Sequence, residues 1–121
     1  MIERLNISGV HMSVDDDIYK YVHKKIGRLD QYVSRHARKS TRASVKLTAS
    51  KIKTRKQATC EVILRLPKGT ITTKETTINM FAAVDIVEQK LKNQLKKYKE
   101  VHEKPYQLHS RMLSKVRRLK T

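Results

Sequence analysis

Two hydrophobic periods run along this chain, and they exchange at definite places. Leu5 and Ile7 alternate with Arg4, Asn6 and Ser8, so residues 2–8 predict a short strand. Ile18, Val22, Ile26, Leu29 and Val33 then recur at spacings of 4, 4, 3 and 4, which is one face of a helix. Ser13 and Asp15, Asp16 and Asp17 stand before that face. A side-chain cap and negative charge both favour a helix start there. Alternation returns at Ala43, Val45, Leu47 and Ala49, and again at Ala58, Cys60, Val62, Leu64 and Leu66. Pro67-Lys68-Gly69 makes a turn, with Gly69 free to take a positive φ. The β-branched run 70–76 returns as the second strand of a hairpin. Asn79 caps a second helix, whose stripe is Met80, Val84, Val87, Leu91, Leu95 and Tyr98. It runs to about His102, and Pro105 stops it from continuing.

The predicted order is therefore β-α-β-β-β-α. That is an α+β fold, with one four-stranded, mostly antiparallel sheet and two helices on its buried face. The style is that of double-stranded-RNA-binding modules. Residues 1–102 read as one domain, without internal repeats. Residues 103–121 are basic and poor in apolar groups. Leu108, Met112, Val116 and Leu119 mark one side of a short helix there, and Arg111, Lys115, Arg117, Arg118 and Lys120 crowd the rest. This tail is expected to be flexible alone and to order on a partner.

Charge narrows the function. Of 121 residues, 28 are Lys or Arg and 11 are Asp or Glu, a net charge of +17. Residues 35–56 hold Arg35, Arg38, Lys39, Arg42, Lys46, Lys51, Lys53, Arg55 and Lys56 with no acid. Such a stretch repels itself and gathers counterions, whose release drives binding to phosphate backbones. No apolar run approaches the ~20 residues of a membrane span, and the stretch lacks an apolar face that would insert. The N-terminus lacks the apolar core of a secretory signal. A cytoplasmic protein is expected, monomeric when free.

Catalytic signatures are absent. Three glycines form no phosphate loop, and there is no Walker or nucleophile-elbow pattern. Cys60 falls on the inward face of its strand, where a thiol fills a core rather than attacks. The five histidines have no zinc-ligand spacing, and three consecutive aspartates point in different directions. The expectation is no enzyme, no metal, no cofactor and no small-molecule substrate.

Basic rows mark the helices. Lys20, Lys24 and Arg28 stand at i, i+4 and i+8, with Lys25 beside them. Lys90 and Lys97 lie seven apart on the second helix, broadened by Lys92, Lys96 and Lys99. Like charges at such spacings cost a few tenths of a kcal/mol each. With both helices on one sheet face, their outer surfaces are expected to form one basic plate. Such a plate suits an A-form phosphate landscape read by shape.

Specific segments carry a resemblance. Leu5-Asn6-Ile7-Ser8, Met12 and Arg28-Leu29-Asp30 resemble the start of the bacterial ribosome hibernation factors. Thr76-Thr77-Ile78-Asn79-Met80-Phe81-Ala82-Ala83-Val84-Asp85 resembles their acidic-Met-Tyr-x-Ala-Ile segment. Lys90-Leu91, Gln94-Leu95 and Lys97 continue it. This is the family of ribosome-associated inhibitor A and the hibernation promoting factors, and the likeness covers about residues 2–101.

The resemblance implies binding to the small (30S) subunit, alone or within the 70S ribosome. The implied place is the channel between head and body, against 16S rRNA, where messenger RNA and A- and P-site transfer RNA are excluded. Translation is thereby silenced in stress or stationary phase. The family's basic positions fall on Lys25, Arg28, Lys90 and Lys97. Charge alone adds Lys20, Lys24, Arg35, Arg38, Lys39, Arg111, Lys115, Arg117 and Arg118 as rRNA contacts. Two positions depart from the pattern: Asn79 stands for an acid and Phe81 for Tyr. The long forms carry a ribosome-dimerising C-terminal domain, which a chain ending at 121 is not expected to hold.

Overall fold

A computed structural model of the chain describes residues 1–52 and 55–103. The elements are β1 (Arg4–Val10), α1 (Asp16–Gly27), a 3-10 turn (Arg28–Tyr32), a short α2 (Arg35–Arg38), β2 (Arg42–Ile52), β3 (Arg55–Leu66), β4 (Gly69–Thr77) and α3 (Met80–Tyr98), ending in a π-turn (Lys99–Glu103). The sheet order is β1-β2-β3-β4. β1 and β2 are parallel, which requires a crossover, and α1 through α2 supply it. The other two pairs are antiparallel. The expected α+β order thus holds.

One sheet face is buried beneath both long helices. Ala43, Val45, Leu47, Cys60, Val62 and Leu64 meet Ile18, Val22 and Ile26 of α1 and Val84, Val87, Leu91 and Leu95 of α3 in one core. Among the described residues nothing packs over the other sheet face, to which the alternate strand residues point. Cys60 is fully buried, and that burial pushes its thiol up to about 12. It fills the core.

Caps start both long helices. The Asp15 carboxylate accepts from the Ile18 N–H at 2.9 Å. The Asn79 side-chain oxygen accepts from the N–H groups of Phe81 and Ala82 at 2.8 and 3.4 Å. Asn79 therefore supplies the helix start that the family's acid would. Asn79→Ala is expected to lower stability by about 1 kcal/mol, read by denaturant unfolding.

The structure departs from the sequence pattern in two places. The first helix ends at Gly27, short of Arg28-Leu29-Asp30 and of the Val33 that closes its apolar stripe. The apolar spacing carries on because Leu29 and Val33 stay buried while the backbone tightens to a 3-10 turn, with three residues per turn. β2 and β3 also reach further than the alternation of 43–49 and 58–66. β1 pairs only as far as Thr48, and β4 only from Ala58. Beyond those points β2 and β3 form a two-stranded ribbon carrying Lys51, Arg55 and Lys56, which has no core to pattern it. Lys53 and the tail's Arg111, Lys115, Arg117 and Arg118 lie outside the described residues.

Candidate nucleic-acid interface

The basic side chains collect where the end of α1 meets α3. Lys24 and Lys25 occupy the last turn of α1, where cations complement the exposed carbonyl end of a helix. Arg28 Nε donates to the Lys24 carbonyl at 3.1 Å, which anchors the guanidinium over that same end. From α3, Lys92 Nζ lies 5.5 Å from the centre of the Tyr32 ring. Lys25, Arg28 and Lys92 then line one groove of about 200 Å³ together with Leu29, Gln31, Tyr32 and Glu88. Lys96 follows Lys92 by four residues and extends that flank. Lys20 and Lys24 stand exposed on the outer side of α1.

A polar seam fastens the two helices beside the groove. Lys25 Nζ is 3.6 Å from the Asp85 carboxylate and 5.6 Å from the centre of the Tyr21 ring. The Tyr21 hydroxyl donates to Asp85. The Phe81 ring packs edge-on against Tyr21, centres 5.0 Å apart. Phe81 stands where the family has Tyr, so its exposed ring supports Tyr21 and carries no hydroxyl of its own.

The bond to Asp85 is the main cause that raises the Tyr21 phenol from 10.0 to about 12. Burial and the negative charges of Asp85 and Glu88 add to it. The unfolded phenol ionises near 10 while the folded one holds its proton to about 12. The stabilisation is therefore complete below pH 10 and is lost between 10 and 12. Tyr21→Phe is expected to shallow the alkaline fall in melting temperature over that window. The remaining slope includes the Cys60 thiol, raised from 9.0 by burial.

The single plate expected across both helices is divided. Lys90 and Lys97 sit on the opposite flank of α3 from Lys92. Lys90 pairs with Glu75 of β4. Lys97 lines a separate depression with Gly69, Thr70 and Thr72 of β4. A separation of two residues turns a helix by about 200°, so Lys90 and Lys92 cannot share a stripe. Arg35 and Lys39 are exposed around α2. Arg38 is tied back, its Nε donating to the carbonyls of Asp30 and Val33 at 3.1 and 3.3 Å. Nothing in the sequence sets Lys92 apart from the other lysines of α3, and Tyr32 carries no local signal of its part in the groove. Their meeting depends on the 3-10 turn, which no local pattern signals.

Among the described residues, no group of His, Cys, Asp or Glu is placed to hold a metal ion. No described helix is long and apolar enough to cross a membrane.

Residues 5–103 match the family described as Sigma 54 modulation protein / S30EA ribosomal protein. The chain is 34% identical over 96 residues to a ribosome hibernation promotion factor of Lactococcus lactis, covering 79% of this chain and 49% of that one. It is 33% identical over 97 residues to a ribosome hibernation promoting factor of Pseudomonas putida, covering 80% of this chain and 87% of that protein. The chain thus spans about half of the first relative and most of the second. Its structure is similar to the crystal structure of the Thermus thermophilus Protein Y N-terminal domain. The TM-score is 0.60 at 27% identity, over 77% of this chain and 94% of that one.

Proposed function

The chain belongs to the Sigma 54 modulation protein / S30EA ribosomal protein family, and from that premise we propose that it is a ribosome hibernation factor acting on the small subunit. The observation that carries this reading is the convergence of Lys25, Arg28 and Lys92 on one open groove of the helix layer. Three donors on rigid elements suit a fixed array of phosphates. Neutralising those phosphates releases counterions and supplies the affinity. Reading shape rather than base edges fits an A-form rRNA surface.

In this reading the protein lies against 16S rRNA in the decoding channel. It occupies space that messenger RNA and the A- and P-site transfer RNAs need, so translation stops without any catalytic step. It acts in the cytoplasm as a monomer until it meets the ribosome. Lys90, Lys97, Lys20, Lys24, Arg35 and Lys39 lie outside the groove and add contacts around it. The charges of Arg111, Lys115, Arg117 and Arg118 fit the same polyanion. Truncation after Lys104 is expected to leave the melting temperature nearly unchanged. It should also lower the salt slope of ribosome binding, by close to one unit per lost phosphate contact. Sucrose-gradient sedimentation of lysate from starved cells tests the proposal. The protein should travel with small subunits and whole ribosomes through moderate salt. Absence from every ribosomal fraction would refute it.

A further inference from the structure

The open face of the sheet, opposite the helices, carries a second concentration of charge. Arg4 of β1 is in register with Arg42 of β2, and Arg42 with Arg65 of β3. All three side chains are exposed, and the alternation puts them on the uncovered face, since their neighbours Leu5, Ala43 and Leu64 point inward. Adjacent strands lie about 4.8 Å apart, so the row spans roughly 10 Å. Like charges directly opposite one another destabilise a sheet. Elsewhere the chain pairs its cations where an acid is in reach, as in Lys46–Glu61 at 3.6 Å on this same face. Among the described residues the side chains of the three arginines have neither an ion pair nor a hydrogen bond. The next register continues with Ser44, beside Asn6 and opposite Ile63. Thr70 extends the arginine row on β4.

From this register we infer that the open sheet face is a second RNA-binding surface, with Arg4, Arg42 and Arg65 gripping a phosphate backbone. Guanidinium forks take phosphate oxygens two at a time, and flanking hydroxyls donate to the same groups. The arginine row is costly in the free protein and is relieved by an anion of regular charge. The inference rests on the rRNA reading of the helix layer and extends it. Because the sheet separates the two surfaces, one molecule holds two RNA segments at once.

The test first sets the full chain against two glutamine variants. One carries Arg4→Gln, Arg42→Gln and Arg65→Gln; the other carries Lys25→Gln, Arg28→Gln and Lys92→Gln. The probes are purified small ribosomal subunits and a short RNA duplex in two fluorescent colours. The arginine variant should lose about 2–3 units of salt slope on small subunits, at 0.7–0.9 per phosphate. Its melting temperature should not fall, since removing like charges relieves repulsion. The variant with Lys at all three positions should recover most of the slope. At duplex concentrations far above those at which small subunits saturate the protein, energy transfer between the two duplex colours should appear with the unaltered protein and vanish with either glutamine variant. A wild-type salt slope in the arginine variant overturns the second surface, whatever the helix variant does. Loss confined to the arginine variant upholds the sheet surface and refutes the groove instead. Should the triple substitution unfold the protein, Arg42→Gln alone, at the centre of the row, must still lower the slope by about one unit or the inference fails.

Discussion

Replacing Lys25, Arg28 and Lys92 together by glutamine is expected to weaken binding to small ribosomal subunits by roughly a hundredfold. Hydrogen bonds to charged groups contribute more than neutral ones, so about 1 kcal/mol each is a conservative value. Three such contacts make about 3 kcal/mol, which is roughly two decades of affinity. The salt slope should fall by about 2–3 units, as three phosphates go unneutralised. The fold should survive. Among the described residues the one ion pair removed, Lys25–Asp85, is partly exposed, and surface pairs contribute about 0–1 kcal/mol. Asp85 keeps its Tyr21 partner. Equilibrium binding at several salt concentrations, with a melting curve for each variant, checks this. Unchanged affinity with an intact fold would remove the groove from the interface.

Leu91→Ala should produce a large loss of stability. Leu91 is fully buried at the middle of the α3 stripe, packed in the same core as Val62 and Leu64 of β3 and Val22 of α1. Alanine there removes transfer energy and leaves a cavity that strands and helices on both sides hold open. The expected cost is about 2–5 kcal/mol by denaturant unfolding. A cost below about 1 kcal/mol would mean that the layer closes over the gap, and that α3 is less firmly seated on the sheet than its buried stripe indicates.

Much of the architecture is legible in the sequence, because burial writes itself into spacing. The Val84–Val87–Leu91–Leu95 stripe has a helical period and is buried throughout. The Cys60–Val62–Leu64 alternation has a strand period and lies on one face. What escaped reading lacked a hydrophobic signature. The 3-10 turn preserved the apolar spacing of α1 while changing its geometry. The ribbon formed by the ends of β2 and β3 buries little, so polar residues hid its length.

Charge was legible in amount but not in place. The excess in 35–56 gave no sign that Arg38 would be tied to backbone carbonyls while Arg42 stood free. Lys92 reaches the groove because Tyr32 is brought under it, and those residues are far apart in sequence. Arg4, Arg42 and Arg65 come from three strands, and only pairing register makes them neighbours. Such contacts belong to tertiary structure, beyond the reach of local periodicity.

On the proposed reading, the helix layer recognises the shape of a ribosomal surface rather than RNA charge in general. Competition measures this most directly: labelled full-length protein on purified small ribosomal subunits, challenged at one fixed salt concentration with unlabelled subunits or with random duplex RNA. Unlabelled subunits should displace the protein at far lower concentration than an equal mass of duplex. Equal displacement by the two competitors would contradict it, and would make the chain a general duplex-RNA binder.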